Sequence, residues 1–374
     1  MITFDEILSS IKEYMILEGN DDFIVDLLLG TAISIELNRP VWLMIIAPPS
    51  SGKTELLNLL SVLENYHPLY NLTPRFLFSG HPNAQGGYMI RKVKEKGIVA
   101  FPDFTTVLSV NSKARNEIFN QLRVMFDCKA GLGTGIDTGK LKSWEGKIAV
   151  ISLVTEKVEI LKEKSTDLGE RFLYYSYVPK YKEDKVFVRN DFNISNKENV
   201  PQIVKEFLDS KRIVLSKYSI NSELKMFLIG LSKFIAIGRS TVQRDGHGRE
   251  IAFIHRPEEP YRIMNVLSSL FVSMINLNED IIRTKRILRK LAFSSIPMIR
   301  SNILYTIQNT NKLNITFDDI YASFKLSESR IRRVIEDLNA IGVLEVIPSG
   351  DSNKKHIKIA EKFHKYWKVV YKKG

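Results

Sequence analysis

The sequence predicts an α/β fold on a mostly parallel sheet, then an all-helical region, then a small domain of three helices and a hairpin. Three observations carry this expectation. Apolar, strand-like runs recur at 41–46, 98–101 and 147–154 with helical or loop stretches between them, and strands alternating with helices build parallel sheets. From about 200 to 300 the apolar residues fall at helical spacing, as in Ile203, Phe207, Leu208 and Leu267, Leu270, Phe271, Met274. After 301 the pattern becomes helix, helix, helix, strand, turn, strand, with helix starts near Thr316 and Ser327 and a turn at 349–353. A chain of 374 residues is long enough for several domains, expected here at 1–180, 181–300 and 301–374.

Composition narrows the classes of function. Hydrophobic residues at 44% and aromatics at 10% suffice for packed cores and exclude a disordered chain. A net charge of +12 points to a polyanionic partner, of which nucleic acid is the commonest. A lysine-rich proteome gives the same excess without any function. The single Cys128 excludes an intramolecular disulfide and a cysteine-based zinc module. The histidines lack metal-ligand spacing, and no Ser/His/Asp or nucleophilic Cys arrangement stands out. No stretch approaches the ~18 apolar residues of a membrane span, and Asp5 and Glu6 stand where a basic targeting stretch would. The expectation is a soluble cytoplasmic protein with no membrane partner.

Taken in order, residues 1–40 read as two helices, on Phe4, Ile7, Leu8, Ile11 and on Ile24, Leu27, Leu28, split near Gly19-Asn20. Val41–Ile46 is a buried strand. It runs into Ala47-Pro48-Pro49-Ser50-Ser51-Gly52-Lys53-Thr54, and an amphipathic helix follows from Glu55. That order suits a nucleoside triphosphate, because a helix start offers free N–H groups and a positive dipole end. Residues Pro49 to Thr54 would cradle the phosphates, Lys53 would reach the β- and γ-phosphates, and the Thr54 hydroxyl would ligate Mg²⁺. ATP and Mg²⁺ are therefore the expected cofactors. Ala47 stands where the pattern usually has its first glycine.

A magnesium-side acid is expected at the end of a neighbouring strand, and Ile98-Val99-Ala100-Phe101-Pro102-Asp103 supplies one. Only one acid is present, since Phe104 follows. Asp103 either holds the metal with the base missing, or acts as the base with Pro102 in the metal position; a third reading makes it the cap of the next helix. The glycine-rich run Gly131–Lys140 suits a β-hairpin turning at Asp137-Thr138-Gly139. Arg171 in Leu168-Gly169-Glu170-Arg171-Phe172 suits a finger onto a neighbouring subunit's γ-phosphate. Arg262, in Pro257-Glu258-Glu259-Pro260-Tyr261-Arg262, is a candidate to fold back onto its own subunit's nucleotide.

The order of these pieces, with Ile148–Thr155 between hairpin and Arg171, resembles AAA+ ATPases. More narrowly it is similar to the minichromosome-maintenance-like replicative helicases of phages and mobile genetic elements, over about 35–300. The resemblance implies an α/β P-loop AAA+ core, an all-α lid domain and a C-terminal winged-helix domain. It implies ATP hydrolysis with Thr155 at the sensor-1 position, often Asn in the family, Arg171 as arginine finger and Arg262 as sensor-2 arginine. It also implies that the glycine-rich hairpin enters a ring channel and grips single-stranded DNA through Lys140, with Lys129 and Lys142 behind, and that 79–87 form a second pore loop. The homo-oligomer it implies is a hexamer.

Basic residues elsewhere extend the nucleic-acid reading. Arg330, Arg332 and Arg333 fall at the start of the expected recognition helix, where they would meet duplex DNA, and Lys354 and Lys355 fall in the wing. A winged helix that binds protein with a solvated basic face is the other reading of that domain. The run 281–290 carries basic and apolar residues and no acid, so it counts as further basic surface. The expected function is a DNA helicase or translocase for replication of a phage or mobile element. The alternatives are an ATP-switched initiator or helicase loader, favoured by the missing second acid, and a regulatory ATPase.

Overall fold

Thr3 and Glu6 cap each other's backbone N–H and start α1 (Phe4–Tyr14). The computed structural model describes residues 2–15, 17–74, 76, 89–132, 142–164, 171–179, 199–211, 220–247, 249–310, 315–348 and 355–371. A 3₁₀ turn at Gly19–Asp22, with Gly19 at φ +56°, leads into α2 (Phe23–Ile33), so the break falls where the spacing predicted it. Every residue of α2 is buried, as its nearly unbroken apolar sequence requires.

The strands that follow are β1 (Trp42–Ile46), β2 (Tyr66–Pro68), β3 (Lys96–Phe101), β4 (Lys129–Leu132), β5 (Lys142–Glu145), β6 (Lys147–Val154) and β7 (Leu173–Ser176). Five of them form one all-parallel sheet in the order β2-β3-β6-β1-β7. β1 pairs with β6 from Trp42↔Val150 to Ile46↔Val154 and with β7 from Leu43↔Leu173. β1 is buried throughout and β6 from Ile148 on, the pattern of strands covered on both faces. The α/β core with a parallel sheet is therefore as expected. From β1 the chain crosses to the far edge at β2, returns through β3 and β6, then passes over β1 to β7. The connections after β1 and β6 thus leave in opposite directions, which opens a crevice at the carboxyl ends of these neighbours.

Helices α3 (Lys53–Asn58), α4 (Thr105–Ser109), α5 (Ser112–Phe126), α6 (Val158–Lys164) and α7 (Val200–Lys211) accompany the sheet segments. The remainder comprises α8 (Ser222–Gly238), β8 (Val242–Arg244), β9 (Ile251–Ile254), α9 (Tyr261–Asn278), α10 (Ile281–Ser295), α11 (Met298–Asn309), β10 (Ile315–Thr316), α12 (Phe317–Tyr321), α13 (Glu328–Ala340), β11 (Leu344–Pro348), β12 (Lys355–Ile359) and α14 (Glu361–Val370). The chain divides into two compact units, neither continuous. The first contains 1–158, 171–219 and 265–287, and the second contains 159–170, 220–264 and 288–374. The helical stretch is shared between them.

In the first unit, Arg283 of α10 closes on buried Asp26 of α2 through Nε at 3.1 Å and Nη2 at 2.7 Å to Oδ2. It also pairs with Asp22 at 3.1 Å. This corrects the reading of 281–290 as free basic surface: Arg283 holds the core together. In the second unit, Phe234 packs its ring against Phe293, Phe363 and Trp367, and Gly230 is needed because a Cβ there would lie 2.8 Å from Val369.

The stretch 200–300 is not all-helical, because β8 and β9 form an antiparallel hairpin. Asp245 closes its turn, its Oδ1 accepting from the N–H groups of Arg249 and Glu250 at 2.7 and 3.3 Å. At the C-terminal end, α11, α12 and α13 precede the β11–β12 hairpin in the expected order. β10 joins that hairpin as a third antiparallel strand, in the order β10-β12-β11, and α14 follows. Among the described residues no helix is long and apolar enough to cross a membrane.

Candidate functional site

The carboxyl edge of the parallel sheet gathers some of the residues singled out in the sequence. After β1, Ala47 N–H still donates to Val154 O at 3.0 Å, and the chain then leaves the sheet. It turns through two left-handed residues, Ser50 at φ +57° and Gly52 at φ +72°, and enters α3 at Lys53. Glycine suits the second position because it carries no Cβ penalty there. No side chain caps α3. Lys53 folds back over the loop, and its Nζ donates to Ala47 O at 2.9 Å. Partial burial lowers its pKa, an effect opposed by the nearby charge of Asp103. Ser51 is buried and its Oγ has no hydrogen-bond partner among the described residues, whereas Thr54 is exposed.

Asp103 stands two residues beyond β3. Its Oδ1 accepts from Thr105 N–H at 2.9 Å and opens α4, and the Thr106 hydroxyl donates to its carbonyl at 2.8 Å. Asp103 thus braces the turn one residue before the N-cap position, which Phe104 holds without a side-chain cap, and its charge still acts on Lys53. Phe104 N–H donates to Leu153 O at 2.8 Å, which ties this turn to β6. Beyond β6, Thr155 N–H donates to Thr105 Oγ1 at 3.3 Å and the two hydroxyls lie 3.4 Å apart. Lys53, Asp103 and Thr155 therefore share one edge. Thr105 joins them and was not assigned from sequence, although an Asp followed by two threonines at a strand-to-helix turn is a signal for such a tie.

The other predicted residues lie elsewhere. Arg171 stands two residues before β7 and so belongs to the amino edge, opposite Lys53. It is 9% exposed, with its guanidinium 5.9 Å from the Phe126 ring centre. Arg262 is half-buried in the first turn of α9 and belongs to the second unit. The arms of the glycine-rich segment pair as β4 and β5, with Lys129 opposite Glu145 and Lys142 opposite Leu132. The base of that hairpin is pinned by the Trp144 indole, which donates to Lys94 O at 2.6 Å. Lys140, the stretch 79–87 and Lys354 lie outside the described residues. In α13, Arg330 bonds Glu163 at 3.1 Å; Arg332 bonds Glu328 at 2.7 Å and lies over Phe317; Arg333 is exposed.

Chemically, the edge offers an ammonium and a tight loop to an anion, with a hydroxyl and a carboxylate available to a hard cation. Among the described residues no group of three or more His, Cys, Asp or Glu side chains gathers to hold a metal. Oxygen donors as few as Thr54 and Asp103 match Mg²⁺, which keeps most of its water and rides on substrate phosphates. No protein-family model matches the chain, and a search of curated proteins finds no match.

Proposed function

We propose that the first unit binds ATP with Mg²⁺ at the carboxyl edge and that the protein is an AAA+ ATPase acting on DNA as a ring-forming helicase or translocase. One observation carries this reading: the Lys53 loop after β1 and the Asp103 turn after β3 flank the end of β6, where Thr155 stands. Two strand spacings separate β1 from β3, about 10 Å, room for a terminal phosphate and a hydrated cation. The loop N–H groups and Lys53 hold the β- and γ-phosphates. When bound, Mg²⁺ neutralises charge on the phosphates, with Thr54 and Asp103 as its protein ligands. Thr155 and Thr105 together orient a water or phosphate oxygen beside Asp103.

Arg171, at the opposite edge, cannot serve the phosphates of its own loop, so its role as a finger requires a neighbouring subunit. As a finger it serves a neighbour's, leaving its place over Phe126 when subunits meet. The hexamer, the lid formed by the helical segment and the sensor-2 role of Arg262 follow from the same resemblance. The segment 298–370 has the element order of a winged helix, with α13 as recognition helix, and the β4–β5 pair, whose strands start at Lys129 and Lys142, belongs to the arm that meets single-stranded DNA.

A specific observation favours the second reading, an ATP-switched initiator or loader. Asp103 spends one oxygen on the α4 turn, and the next residue is the buried Phe104. The sequence places no second acid directly after it to activate water. ATP turnover with and without single-stranded DNA, beside strand separation on a forked duplex, decides between them, with Lys53→Ala as the blank. DNA-stimulated turnover with unwinding supports the motor. DNA binding with slow, unstimulated turnover supports the switch. No nucleotide binding by the wild type refutes both.

A further inference from the structure

The second unit contains a cleft of about 490 Å³ at the start of α13. Four arginines line it, Arg244 from β8, Arg300 from α11, and Arg330 and Arg333 from α13, against two acids, Glu163 and Asp337. Arg244 is committed to Asp337 at 2.7 Å, with Glu336 beside it at 3.1 Å, and Arg330 to Glu163 at 3.1 Å. Arg300 and Arg333 are left over, and neither pairs with a carboxylate among the described residues.

Arg300 is the informative member. It is 5% exposed, and its hydrogen bonds both come from Nη1, to Gly238 O at 2.8 Å and Ser240 O at 2.7 Å. Nε and Nη2 have no partner among the described residues. Asp337 and Glu163 act on it only at a distance; a buried cation with no carboxylate in contact is costly to keep, and this one forms part of the wall of a polar cleft. Ser327 and Ser329 line the same cleft at the N-terminus of α13, a 13-residue helix whose N-cap side chain makes no capping bond. A helix start of that kind favours an anion.

We propose that this cleft binds a backbone phosphate of DNA, with Arg300 and Arg333 as its counter-charges and Arg330 transferred to it from Glu163. The proposal rests on the DNA-binding reading of the second unit. The Glu163 carboxylate occupies the place that the phosphate takes on Arg330. Both partners of that pair are partly exposed, at 51% and 30% of their side chains, and such pairs contribute little stability, so the exchange meets little resistance. DNA from the same strand continues over the exposed face of α13, where Arg332 stands.

The test uses the full chain and two surface variants, Arg333→Gln and Glu163→Gln. Thermal unfolding is followed with inorganic phosphate against chloride at equal ionic strength, and duplex DNA binding is followed by fluorescence anisotropy over a range of salt. Phosphate is expected to raise the melting temperature of the wild type and not of Arg333→Gln. Glu163→Gln is expected to bind DNA several-fold more tightly. Arg333→Gln is expected to bind several-fold more weakly, with a salt slope lower by about one. DNA binding that neither variant alters, without a phosphate shift, overturns the cleft and leaves the DNA reading standing. A phosphate shift lost in Arg333→Gln, with no DNA binding at any salt, makes the cleft a free-phosphate site and overturns the DNA assignment. Absence of both effects overturns the two together.

Discussion

Replacing Arg283 with methionine measures how far the first unit depends on one buried charge. Asp26 is completely buried. It accepts from Arg283 Nε at 3.2 and 3.1 Å, from Nη2 at 2.7 Å, and from Asn278 Nδ2 at 2.6 Å. In the variant only the Asn278 bond remains, so the carboxylate must stay charged without a counter-ion or take up a proton. Breaking such a pair costs about 3–5 kcal/mol. Arg283 keeps a fifth of its side chain exposed, which places the expected loss near the lower end, about 3 kcal/mol. The guanidinium also covers Phe23, 5.0 Å from the ring centre, and the methionine stem replaces part of that contact. Urea unfolding followed by tryptophan fluorescence reads the effect. In a Trp367→Phe background the remaining Trp42 and Trp144 both report on the first unit. With a slope of about 2–3 kcal/mol/M, the midpoint should fall by about 1–1.5 M. Adding Asp26→Asn should restore more than half of the loss, because it removes the stranded charge. A loss below 1 kcal/mol, or a double variant no better than the single one, would refute the assignment of Arg283 to the core.

Gly52→Ala should lower nucleotide affinity by up to about five- to thirtyfold, read by titration with a fluorescent ATP analogue. The Cβ has open space, with its nearest neighbour 3.9 Å away, so the fault is the left-handed backbone, at about 1–2 kcal/mol. Unchanged affinity would show that the loop does not need this turn. Lys162 is buried, and burial brings its pKa down to about 8, Glu159 working the other way. Between there and the ordinary value of 10.5 the unfolded chain binds more protons, so stability rises with pH. Wild type should therefore gain about 1–3 kcal/mol over Lys162→Met from pH 8 to 10.5, with a flat difference below pH 8; a difference constant across that range speaks against the shift. Arg171→Ala and Lys53→Ala should each abolish ATP turnover, and mixing them should restore part of it if the finger acts between subunits. No recovery in assemblies shown to contain both chains counts against a finger in trans.

The sheet was legible because its central strands are long apolar runs, covered on both faces, that no other element explains. β2 was missed because it has three residues, none of them buried, and β7 because Leu-Tyr-Tyr-Ser is too short to show a period. The hairpin β8–β9 escaped for another reason: all of β9 is exposed, so the alternation that marks a half-buried strand never develops. Lys53 and Asp103 were picked out from local motifs, since turns at strand ends depend on local residues, and Thr155 only through the family resemblance. The role of Arg283 was not legible. Its partners lie some 257 positions earlier, and a basic residue looks alike in sequence whether it faces solvent or a buried acid. The same limit hid Arg300.

The Asp26–Arg283 pair also sets a clock on synthesis. A ribosome adds about 5–20 residues per second, so Asp26 waits about 13–50 s before its partner has been made. Throughout that interval α2, apolar apart from Asp26 and Thr31, is already complete but lacks α9 and α10 as cover. The sheet strands β1 and β6, which pack against α2, are made first, so the part of the helix that stays open until the end is the side bearing Asp26 and the α9 contact at Gly30.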